Sequence, residues 1–91
     1  MDLKAAESTS VLVCKITAAL DAQLASIREG CEPDEFRRQR RLFATAMAGL
    51  LEIANTIHGE HPDLKPVQMG GSYVLPWSVI ERSVAQLRGE T

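Results

Sequence analysis

Residues 33–58 read PDEFRRQRRLFATAMAGLLEIANTIH, and the period of this stretch decides the fold. Phe36, Phe43, Leu50 and Ile57 stand seven apart, with Ala46, Met47, Ile53 and Ala54 between them. At about 3.6 residues per turn, that spacing puts apolar side chains on one side of an α-helix. Pro33 suits the first helical position, where a missing N–H costs nothing. Asp34 and Glu35 then meet the positive end of the helix dipole. Gly59 follows His58, and glycine is the usual residue just past a helix end. One helix over 33–58 is expected.

The faces of this helix differ in kind. Counted at about 100° per residue, Leu42 joins the apolar set, which spans roughly 140° of arc. Arg37, Arg38, Arg40 and Arg41 fall on the opposite side, followed there by Ala44, Thr45, Ala48, Glu52 and Asn55. A solvated face normally stays charged along its length. Ala44 and Ala48, with Leu51 beside them, therefore predict a second packing face.

Upstream, Leu12, Val13, Ile16, Leu20, Leu24 and Ile27 form a second stripe, ended by Gly30. This predicts a helix over 9–29, capped by Ser8 or Ser10, after a frayed lead over residues 1–8. Gly30, Cys31 and Glu32 leave a very short link, so the two helices should form an antiparallel hairpin. The far side of the first helix carries Val11, Cys14, Ala18, Ala22 and Ala25, another strip of small residues.

Downstream, residues 59–75 lose the helical period. His61-Pro62, Lys65-Pro66 and Gly70-Gly71-Ser72 are breaker signals. Leu64, Val67, Met69, Tyr73, Val74 and Leu75 nevertheless need cover. The expectation is a loop that runs back along the hairpin and caps its core. The alternative is an exposed binding segment that presents Met69 and Tyr73 together with Trp77. Trp77, Ile80, Val84 and Leu87 then predict a third, shorter helix over 76–88, opened by Pro76 or by a Ser78–Glu81 capping box.

The whole is an all-α single domain over residues 1–91. A chain of this length buries only about 60% of its unfolded surface. Aromatic residues are 4% of the sequence, so the core must be aliphatic and rich in alanine. The net charge is −2 and no segment is strongly basic, which argues against coating nucleic acid. Two cysteines are too few for a disulfide scaffold, and the acidic start does not resemble a signal peptide. The longest apolar run without charge, Leu42–Leu51, falls short of the roughly 20 residues a spanning helix needs. A cytoplasmic protein with reduced thiols is expected.

The chemistry-bearing groups are few. Arg37, Arg38, Arg40 and Arg41 can hold phosphates or carboxylates, but no aromatic is interleaved for base stacking. Asp34 and Glu35 can pair with Arg37 and Arg38 at helical spacing. His58, Glu60, His61 and Asp63 form a weak metal candidate, with His58 and His61 as its ligands. Cys14 and Cys31 lack a neighbouring base, and no pair of carboxylates shares a buried face. Neither an enzyme nor a bound cofactor is expected.

Two helices with apolar character on both sides need more cover than one hairpin supplies. The sequence therefore predicts a homodimer forming a four-helix-type bundle, its seam at Cys14, Ala18, Ala25, Ala44, Ala48 and Leu51. The expected role is a self-associating protein–protein interaction module. The alternatives are a nucleic-acid-binding regulator using the Arg37–Arg41 face, and a small metal-binding protein using His58 and His61.

Overall fold

The structure, a computed structural model, describes residues 1–75. The helix expected over 76–88, with Trp77, lies outside the described residues. The chain is all-α, built from α1 (Leu3–Ile27) and α2 (Pro33–Glu60), with two 3-10 turns at Pro62–Leu64 and Val67–Met69. A link of five residues joins the helices, and they pack against each other as a hairpin.

α1 starts six residues earlier than the sequence suggested. Asp2 is its cap: the carboxylate accepts from the Ala5 amide at 2.8 Å. That bond satisfies one of the orphan donors of the first turn and holds residues 3–8 in the helix. Ser8 and Ser10 are therefore interior residues, and the helix closes at Ile27 rather than 29. α2 runs through Gly59 to Glu60. It stops because Pro62 disfavours helical backbone at His61, which sits at φ −130°, ψ 76°.

Packing is concentrated at one end of the hairpin. Ala6 of α1, Ile57 of α2 and Leu64 beyond it form a buried cluster, with Tyr73 packed against them. Val13, Ala54, Pro66 and Leu75 are buried as well. The apolar stripe of α2 is buried only in part. Phe36, Phe43 and Leu50 are half-covered, while Leu42 is 59% and Ile53 45% exposed. One neighbouring helix covers about 100° of a helix surface, less than the arc the apolar residues occupy. Leu42 and Ile53 fall on one flank of the covered strip; Ala44, Ala48 and Leu51 fall on the other.

Residues 61–75 cap the core in part, while Val67, Met69 and Val74 of the same segment stay exposed. Leu64, Pro66 and Leu75 point inward. The segment is tied to itself by Val67 N–H to Tyr73 O and Tyr73 N–H to Lys65 O, both at 3.0 Å. Gly70 takes a left-handed conformation at φ 87°. Gly71 passes so close to the Lys65 carbonyl that a Cβ would overlap it. The Tyr73 hydroxyl donates to Glu7 Oε2 at 3.1 Å, which fastens the segment to the first turns of α1.

α1 is also long and apolar enough, by length and composition, to cross a membrane. Lys15 and Asp21 interrupt its apolar residues, so it holds no long uncharged run.

Candidate interaction groove

Part of the α1 small-residue strip, Cys14 and Ala18, meets Leu51 of α2 in space. An apolar groove of about 590 Å³ opens between the two helices and the segment that follows them. From α1 it takes Val13, Cys14, Thr17, Ala18 and Asp21; from α2, Met47, Leu51, Ala54 and His58. Pro66, Gln68, Met69 and Leu75 close the remaining side. The groove exists because Cys14, Ala18 and Ala54 are too short to fill the space between two helix backbones, whereas Met47, Met69 and Leu75 wall it in. Its size lies within the range of small-molecule and peptide sites.

Three of the seam positions, Cys14, Ala18 and Leu51, line this groove. Ala44 and Ala48 are exposed on the Leu51 flank of α2, and Ala25 is exposed one turn beyond Asp21 on α1. Met69 belongs to the groove wall and is 37% exposed. Tyr73 does not line it: its ring packs on the core and its hydroxyl is engaged with Glu7. Burial, and then the Glu7 carboxylate that accepts its hydrogen bond, push the Tyr73 hydroxyl above its ordinary pKa.

His58 is the residue that sequence patterning misplaced. A histidine near the C-terminal end of a helix is ordinarily a surface group whose charged form suits the helix dipole. His58 is instead buried, and its Nε2 lies 3.1 Å from the Ser10 hydroxyl. Loss of solvation, and then the charge of Lys65, lower its pKa below the ordinary 6.5, so the ring is neutral near pH 7. His61 turns to another partner, the Met1 carbonyl, at 3.0 Å. Among the described residues, no group of three or more His, Cys, Asp or Glu side chains is arranged to hold a metal ion.

The arginines divide. Arg37 and Arg40 line a second depression of about 340 Å³ at the turn, with Arg28, Cys31, Pro33 and Phe36. Arg37 pairs with Asp34 at 3.5 Å. Arg38 and Arg41 are exposed and do not line it. Phe36 was assigned to the apolar stripe, and its place beside three guanidiniums depends on how the turn folds back. Cys14 is half-buried and its thiol pKa is raised by burial; that of Cys31 is raised by desolvation and then by Glu35. Both thiols are therefore weak nucleophiles at neutral pH.

No protein-family model, no curated protein and no solved structure matches this chain.

Proposed function

We propose that this protein is a helical interaction module that self-associates through its groove face, as a symmetric homodimer whose two hairpins make a four-helix-type bundle. The observation that carries this reading is the apolar groove that three of the seam positions, Cys14, Ala18 and Leu51, help to line. Small residues let helix backbones approach closely, and a groove lined by them receives a ridge from another helix.

Exposed apolar side chains support a second copy as the occupant. Leu51 and Met69, at 49% and 37% exposure, are among the large apolar side chains that such a contact would cover.

Sedimentation equilibrium tests the proposal. Wild type is expected to be a dimer at micromolar concentration, and Ala18→Glu or Ala48→Glu a folded monomer. A wild type that stays monomeric to millimolar concentration overturns it. The same reading places the protein in the cytoplasm, with the apolar side of α1 covered by α2 and by the second copy. Recovery of the protein in the membrane fraction of cells would contradict that placement.

A further inference from the structure

The depression at the turn carries one sign of charge. The guanidiniums of Arg28, Arg37 and Arg40 line its volume of about 340 Å³, together with Cys31, Pro33 and Phe36. Arg28 arrives as the C-cap of α1, while Arg37 and Arg40 stand about one turn apart near the start of α2. The hairpin turn therefore gathers cations from two helices round one hollow. Glu29, Glu32, Asp34 and Glu35 belong to the same stretch of chain, and none of these carboxylates lines the depression. Asp34 pairs with Arg37 at 3.5 Å, and Glu35 hydrogen-bonds with Cys31. Among the described residues, no carboxylate forms an ion pair with Arg28 or Arg40. The Cys31 thiol adds no negative charge, because desolvation and then Glu35 keep it protonated.

Like charges round a shared hollow repel one another unless something of opposite sign sits between them. Arginines on a merely solvated face need no such guest. Arg38 and Arg41 are exposed in that way and line no part of the depression. A guanidinium is planar, always charged, and offers a fork of donors that matches the oxygens of a phosphate group. Half-covered Phe36 gives the hollow an apolar side, which lowers the local dielectric and strengthens the pull on an anion. The volume falls within the range of small-molecule sites. A nucleic-acid duplex asks for cations spread along its backbone, whereas these three converge on one place.

We infer that this depression binds a phosphate group, free or carried by a small molecule. Arg28 and Arg40, which have no carboxylate of their own, are its principal donors. Arg37 joins them by leaving Asp34, an exchange that costs little because both members of that pair are largely exposed. Phe36 borders whatever carries the phosphate. The site lies at the turn, at the opposite end of the hairpin from the Ala6–Ile57–Leu64 cluster, and it does not depend on self-association through the groove.

The test is titration of the whole chain with inorganic phosphate and with glycerol phosphate at low ionic strength, followed by ³¹P NMR. Saturable binding of one phosphate per chain is expected, in the millimolar range or tighter. Arg28→Gln and Arg40→Gln should each weaken it at least about tenfold, the effect of losing a charge-assisted hydrogen bond. Arg38→Gln and Arg41→Gln remove the same charge from outside the depression and should leave binding nearly unchanged. All four side chains are exposed, so the variants should fold, which circular dichroism checks. Tighter binding of glycerol phosphate assigns the site to a phosphate ester, and equal binding assigns it to the free ion; either upholds it. Binding that never saturates, or that falls equally in all four variants, overturns the site in favour of a diffuse cationic face. So does a short DNA duplex that binds more tightly than either probe and loses as much affinity with Arg38→Gln as with Arg40→Gln.

Discussion

Ser10 Oγ and His58 Nε2 lie 3.1 Å apart in the interior and join α1 to α2 across 48 positions of sequence. Neither atom can turn to water, so the contact favours one alignment of the two helices over its neighbours. A slip by one turn would leave both groups buried without partners.

Replacing Ser10 by Ala should therefore cost about 1–3 kcal/mol, the penalty for leaving a buried imidazole nitrogen unsatisfied. Urea denaturation followed by circular dichroism measures it. A change below about 0.5 kcal/mol would mean that water or another group takes the place of the hydroxyl.

The same histidine gives the fold a pH dependence. Its pKa is lowered in the folded chain by burial and by Lys65, while the unfolded chain titrates near 6.5. Below that pH the unfolded state holds more protons, so acid favours unfolding. The stabilisation is complete above about pH 6.5 and declines as pH falls toward the lowered value. Denaturation of the monomer at pH 7.5 and 5.5 should show the loss, and His58→Gln should reduce it.

Core truncations should rank by position along the hairpin. Ile57→Ala removes a side chain that is 3% exposed within the buried cluster and should cost about 2–5 kcal/mol. Leu50→Ala acts on a half-covered residue in the two-helix seam and should cost less, about 1–2 kcal/mol. Equal losses in thermal or chemical denaturation would show that Leu50 is better buried than the monomer makes it.

That ranking marks where the sequence was legible and where it was not. The heptad spacing of Phe36, Phe43, Leu50 and Ile57 identified the helix and its inner face. It carried no information on depth, because depth depends on what lies opposite, and only the Ile57 end has Leu64 and Tyr73 against it. The seam alanines were legible as a strip, since composition on a helix face is periodic. The groove they border was not, because Pro66, Gln68, Met69 and Leu75 reach it through a segment with no period. Asp2 was missed for a local reason: one carboxylate accepting from the Ala5 amide outweighed a start that otherwise reads as polar and frayed.

Asp2→Ala should shorten α1 from its first turn and cost about 0.5–2 kcal/mol, as the loss of a helix cap does. A fall in helical ellipticity with the hairpin otherwise intact is the expected signal. Amide exchange should quicken first at residues 5 and 6.

Gly71→Ala should cost about 1–3 kcal/mol, because the added methyl group meets the Lys65 backbone rather than a side chain that can swing aside. The damage should appear as faster exchange of the Tyr73 amide, which donates to Lys65 O. Unchanged protection there would mean that the backbone moves apart without loss.

The Tyr73–Glu7 hydrogen bond closes a loop of 66 positions, whereas the hairpin beneath it forms by joining neighbours in the chain. Loop-closure entropy rises with the length closed, so the two parts of this fold assemble on different clocks. The helices meet early, and the segment carrying Leu64, Pro66 and Tyr73 docks late. In reverse, that segment is the first to leave. Its departure would uncover Ile57 and Ala6 before the hairpin itself opens. Glu7→Gln, which weakens the closing bond, should speed unfolding and leave the folding rate nearly unchanged.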